Sequence, residues 1–92
     1  MKIVINKDFG GYGLNEKWEK IAETLNVSED DEQMRTHPDL IQEIETGEYE
    51  NDDYAELGVV EIPDDSTDYE INEYDGFESV IYVLDGKIHW AH

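Results

Sequence analysis

The alternation of hydrophobic and polar residues changes period several times along the chain, and each change predicts an element. Residues 2–6, KIVIN, are β-branched and apolar at their centre, the pattern of a buried strand. Phe9-Gly10-Gly11-Tyr12-Gly13 breaks that run as a loop. Leu14, Trp18, Ile21, Ala22 and Leu25 then recur at helical spacing, with Asn15 placed to cap the first turn and Glu16–Lys20 as an i,i+4 pair. This spacing predicts that Trp18, Ile21 and Leu25 bury against Ile3, Val4, Val60, Val80 and either Ile81 or Tyr82 of a sheet. Residues 28–34 read as a polar, acidic connection. A second helix is expected from Thr36-His37-Pro38-Asp39, with Leu40, Ile41 and Ile44 on its apolar face and Gly47 ending it.

The second half of the chain reads as strands. Residues 48–56 form an acidic loop, and residues 57–62 a strand stopped by Pro63. Residues 68–74 alternate as a third strand, and Asp75-Gly76 marks a turn. Residues 78–84 and 87–90 are apolar runs joined by Asp85-Gly86, the signature of a type I′ hairpin. The order β-α-α-β-β-β-β predicts an α+β fold in one domain over residues 1–92. Its expected architecture is a two-layer sandwich, two helices on one face of a mainly antiparallel sheet, with carboxylates on the other face and in the loops.

Charge sharpens this picture. The net charge is −19 on 92 residues, and it is unevenly spread. Between Arg35 and Lys87 lie 51 residues without Lys or Arg, carrying 17 of the 25 Asp and Glu. Interleaved apolar residues separate this region from a disordered acidic tail. The expected cost is mutual repulsion, with crowded carboxylates raising one another's pKa. With no cysteine, disulfide and thiolate chemistry are excluded. No apolar run approaches the roughly 20 residues of a membrane span, and a cytoplasmic location is expected. Strong negative charge also disfavours anionic membranes and direct contact with DNA or RNA.

The opening KIVINK-Asp8-FGGYGL, Arg35-Thr36-His37-Pro38-Asp39-Leu40-Ile41, Val59-Val60-Glu61-Ile62-Pro63-Asp64 and Ile71-Asn72-Glu73-Tyr74-Asp75-Gly76-Phe77-Glu78 span most of the chain. Together they resemble a group of small phage and prophage proteins that open with a KIVIN strand and an aromatic-Gly-Gly-aromatic loop. Members often carry a cysteine where Asp8 stands here, so any role of that thiol is absent. The terminal hairpin VIYVLDGKIHW looks like an addition to the group's pattern. The resemblance implies a mobile-element accessory product, a type that often acts on host proteins; it implies no assigned activity.

Candidate chemistry is thin. The glycine loop lacks the spacing and the Lys-Ser/Thr ending of a phosphate-binding loop. Asp64, Ser66, Asp68, Glu70, Asn72 and Asp75 have calcium-loop spacing, but Tyr69 stands where the turn requires glycine and Asp75 replaces the bidentate glutamate. His37, His89 and His92 suggest no ligand set, and Ser28, Ser66 and Ser79 lie in no nucleophile motif. Neither an enzyme nor a cofactor or metal is expected.

The acidic stretch therefore carries the functional expectation. Its candidate partner-binding residues are Glu48, Tyr49, Glu50, Asp52, Asp53, Tyr54, Glu56, Asp64, Asp65, Asp68, Glu70, Glu73, Tyr74 and Asp75, carboxylates interspersed with aromatic anchors. Such a surface imitates the charge of nucleic acid and suits a basic nucleic-acid-binding host protein, engaged by a monomer or dimer of this chain. The expected function is a phage-encoded inhibitor of anti-CRISPR or anti-restriction type. The alternative is a non-catalytic binding module for another basic protein or a small molecule, with the glycine loop as its floor.

Overall fold

In the computed structural model, which describes residues 1–52 and 55–92, three helices and five strands form an α+β fold. Strand β1 is Lys2–Asn6, and helices α1, α2 and α3 are Glu16–Leu25, Glu32–Arg35 and Pro38–Thr46. Strands β2 to β5 are Leu57–Glu61, Asp68–Tyr74, Phe77–Leu84 and Lys87–Ala91. All pairings are antiparallel, but the strands divide into two sheets, β1–β2 and β3–β4–β5. Ile3 lies opposite Val60 and Val4 opposite Val59 in the first.

Period-two alternation along β1 explains the layering. Val4 turns to one side, where Leu57, Leu14, Trp18, Ala22, Met34, Leu40, Ile41 and Tyr49 close a core with the helices. Ile3 and Ile5 turn to the other and pack with Val60, Ile62 and Val80. The helices thus do lie on one face of a sheet. The other face of that sheet is not the expected carboxylate surface, because the hairpin strands cover it. A strand with four consecutive buried residues has no face left for water.

Each helix is bounded by its own side chains. Asn15 Oδ1 accepts the Trp18 N–H at 3.1 Å to start α1. Asn26, left-handed at φ 58°, ends it. The Asn26 N–H bonds the Glu23 carbonyl and the Val27 N–H that of Ala22 at 3.1 Å, which folds Val27 back onto the core. Val27 thereby takes the place expected for Leu25, which is 40% exposed just before the reversal. Trp18 is buried and Ile21 half-buried, but against the helical core rather than Ile3, Val60 and Val80. The polar connection of residues 28–34 also holds more structure than expected. Asp31 caps the single turn α2 by accepting the Gln33 N–H at 2.8 Å, and that turn points Met34 and Arg35 inward. His37 Nδ1 accepts the Asp39 N–H at the start of α3, and Gly47, at φ 82°, ends it.

The inward-pointing Arg35 builds the joint between the layers. Its guanidinium donates both terminal nitrogens to the Glu78 carboxylate at 2.9 Å, and also bonds the Val4 and Asp30 carbonyls. Glu78 Oε1 further accepts the Asn6 N–H at 2.9 Å. The Asn6 amide donates to the Asp8 and Gly76 carbonyls and accepts from the Glu56 N–H. All three side chains are buried, so Glu78, expected on the acidic surface, is an interior residue. The Tyr12 ring covers Arg35 at 3.9 Å. Gly76, at φ 87°, is a glycine because a Cβ there would overlap the Phe9 carbonyl and the Gly11 amide nitrogen.

Glu78→Gln leaves the Arg35 charge buried without its counter-charge and is expected to cost about 3–5 kcal/mol in urea denaturation. Replacing both partners, Arg35→Met with Glu78→Leu, should recover only part of that loss, since the Asn6 N–H then loses the acceptor that Glu78→Gln keeps. Leu25→Ala is expected to cost under about 1 kcal/mol, against about 2–5 kcal/mol for the buried Leu14→Ala. Equal losses for the two leucines would overturn the assignment of Val27 as the residue closing α1.

Candidate interaction surface

Local structure first decides which carboxylates are free to face a partner. Around the start of α1 the 47–52 segment forms an open hollow of about 420 Å³. Glu48, Glu50 and Asp52 line it together with Asn15, Glu16 and Glu43. A second hollow of about 510 Å³ lies between the chain start, α2 and β3, and it collects Asp64, Asp68 and Glu70 with Asp30 and Glu32. The two share no lining residue, so the candidate carboxylates form two groups rather than one face.

The remaining candidates fall into different places. Asp65 is exposed in the turn after Pro63, and Glu56 is exposed just before β2. Glu73 is exposed, yet its carboxylate accepts the Gly76 N–H at 2.7 Å and so braces the β3–β4 turn, where Asp75 is left-handed at φ 51°. Tyr74 is 72% exposed and pairs across the ladder with Phe77, whose ring lies 5.7 Å from that of the exposed Phe9. Tyr49 is not a surface anchor: it is buried, and its hydroxyl accepts the Asn15 N–H at 2.8 Å. Burial pushes the Tyr49 phenol up to about 12, so it serves the helix start as a neutral group. Asp53 and Tyr54 lie outside the described residues.

Two members of the second hollow could not be read from linear charge. Asp30 and Glu32 belong to the milder first third of the chain, and the packing of α2 brings them beside β3. Tyr69 fixes the meeting, its hydroxyl donating to Glu32 Oε1 at 2.7 Å. Burial, reinforced by that carboxylate, pushes the Tyr69 phenol up to about 12 and keeps it a donor.

Positive charge is largely spent in ion pairs. Among the described residues, Lys2 pairs with Glu45, Lys17 with Glu43, Lys20 with Glu16 and Arg35 with Glu78, which engages four of the six Lys and Arg. Contrary to the expected upward shifts, the two carboxylates that clearly move among the described residues are held below their ordinary range. For Glu43 the cause is hydrogen bonding from Lys17, then from the Trp18 indole; for Asp64 it is the Met1 amino group. Local pairing outweighs crowding at both positions.

Among the described residues, no three or more His, Cys, Asp or Glu come together in a way that could hold a metal. The calcium-like window is drawn out by β3, which strings Asp68, Glu70 and Asn72 along one face over roughly 13 Å. Two amides between the glycine loop and α1 are engaged by the protein itself: Leu14 N–H donates to Glu29 Oε1, and Asn15 N–H to Tyr49. Among the described residues, no helix is long and apolar enough to cross a membrane.

Because the folded pKa of Glu43 is lowered, its contribution to stability is complete above the unfolded value of about 4.3 and is lost as pH falls through the folded value. Glu43→Gln should therefore cost about 1 kcal/mol at neutral pH, and the gap to wild type should close as pH falls through the lowered folded value. Urea titrations across that range check both the size and the sign.

No protein-family model, no curated protein and no solved structure matches the chain.

Proposed function

We propose that this chain is a non-catalytic, phage-encoded inhibitor that acts in the bacterial cytoplasm by covering the nucleic-acid-binding surface of a basic host defence protein, of the CRISPR-effector or restriction-enzyme type. One observation carries the reading. The exposed charge of the fold is predominantly negative: Arg35 is buried on Glu78, Lys2, Lys17 and Lys20 are each matched by a carboxylate, and the two hollows keep an excess of carboxylates at the surface. Carboxylates spaced over a rigid scaffold can pair with the Arg and Lys that a target otherwise offers to phosphates. The resemblance to phage and prophage products supports a host protein as that target. Phe9, Tyr74 and Phe77 supply an aromatic anchor beside Glu73 and Asp75, of the kind that limits dissociation. The small-molecule alternative gains no support from the glycine loop, whose neighbouring amides are already bonded within the protein.

The test captures partners from bacterial lysate on the immobilised chain and elutes them with salt. Binding should weaken steeply from about 0.15 M to about 1 M salt, where the Debye length falls from roughly 8 Å to roughly 3 Å, and should exclude the partner's own nucleic acid. Neutralising Glu48, Glu50, Asp65 and Glu70 together to Gln, Gln, Asn and Gln should slow association about tenfold or more without altering stability for the worse. Tyr74→Ala should instead speed dissociation. A captured protein that holds the chain and its nucleic acid at once, or binds equally at both salts, overturns the proposal.

A further inference from the structure

The outer face of the three-stranded sheet changes character from one edge to the other. Val80 points into the core, so alternation sends Phe77, Ser79, Ile81 and Val83 of β4 outward. The register then places two rows across the strands: Glu70, Ile81, Trp90 and Asp68, Val83, Ile88. Both rows run from a carboxylate on β3 to a large apolar side chain on β5, and Ile88 is 70% and Trp90 55% exposed. The β4–β5 hairpin is also the part of the chain that the negative charge spares. Its charged side chains are Glu78, which is buried, and Asp85 and Lys87, which are of opposite sign.

The same strand has an open edge, since β5 pairs with β4 and with no other described strand. Asp85 and Gly86 both have positive φ, so the turn closes with the Lys87 N–H directed at Leu84. Alternation then directs the backbone groups of His89 and Ala91 to β4 and those of Ile88 and Trp90 away from it. An exposed apolar edge of this kind templates pairing with another strand.

We propose that this edge is a self-association surface, on which a second copy of the chain docks antiparallel about a two-fold axis at His89. In that register Ile88 of each copy faces Trp90 of the other, and their outward N–H and C=O groups complete two pairs of ladder bonds. The sheet becomes six-stranded. Each outer row then reads Glu70, Ile81, Trp90 and, in the partner copy, Ile88, Val83 and Asp68, so apolar side chains meet in the middle and carboxylates lie at the far ends. Charge selects this occupant. A cationic partner matches the acidic β3 side and the two hollows, whereas the hairpin, whose exposed charges Asp85 and Lys87 offset each other, is where two chains of net charge −19 approach with least repulsion. The inference stands independently of the proposed function, and salt separates them: screening strengthens contact between like-charged copies and weakens contact with a basic target.

Light scattering on the full chain, from about 1 µM to about 500 µM at low and high salt, reads the association directly. The mass should rise from the 10.7 kDa of one chain toward twice that, at lower concentration when salt is high. Amide hydrogen exchange of wild type should show Ile88 and Trp90 protected as the mass doubles. Ile88→Pro removes an outward N–H without touching the β4 ladder, and Trp90→Lys leaves the backbone intact. Each should weaken association about 100-fold or more. Leu25→Lys, on the exposed end of α1, should leave it unchanged. A single-chain mass at every concentration and both salts overturns the proposal, as does a dimer that survives both edge variants or leaves the Ile88 and Trp90 amides unprotected.

Discussion

The fold depends on one buried ion pair. Arg35 and Glu78 meet with two parallel bonds of 2.9 Å in a buried site, and the pair joins α2 to β4. Two buried charges are costly, and attraction between them repays that cost only when the remaining donors and acceptors are also satisfied. Here Val4 and Asp30 take two of the three other guanidinium hydrogens, and the Asn6 N–H takes a second place on the carboxylate. Among the described residues no buried side-chain nitrogen or oxygen lacks a partner. What the pair provides is registration. It holds the helical layer, β1 and the hairpin sheet in one relative position, which two apolar cores alone would specify less sharply.

That registration makes the acidic surface possible. Carboxylates that repel one another favour an expanded chain, and the two cores on either side of β1–β2 must resist this. The fold also spends its few cations carefully. Arg35 goes to the interior, and Lys2, Lys17 and Lys20 tie down carboxylates near the helices. Each hollow keeps more carboxylates than cations, Lys17 lining the first and Arg35 with the Met1 amino group the second.

Much of the fold was legible in the chain because its signals were local. The bounds of β1 and β3, the Asn15 cap, the Gly47 stop and the Asp85-Gly86 turn each follow from a few adjacent residues. What stayed hidden depends on distant segments meeting. Helical spacing nominates Leu25, but the left-handed Asn26 hands its place to Val27. The same helical count does not say which side of β1 the helix will face. Tyr49 resembles the other tyrosines of the acidic stretch until Asn15 arrives to bond it. The second hollow draws Asp30 and Glu32 from one end of the chain and Asp68 and Glu70 from the other, so no window of sequence contains it. One signal was available: Arg35 is the last basic residue before a long stretch of carboxylates, and its neighbour Met34 is apolar in an otherwise polar connection.

The separation of Arg35 from Glu78 by 43 residues, and of Asn6 from Glu78 by 72, also has a meaning in time. Synthesis delivers the guanidinium long before its carboxylate. Until β4 leaves the ribosome, β1 can pair with β2 and the helices can gather on Val4, but Ile3 and Ile5 still face solvent and Arg35 must remain hydrated. The second core and the ion pair therefore close together as a late, long-range step, the kind of contact that slows folding and prolongs exposure of an unfinished sheet.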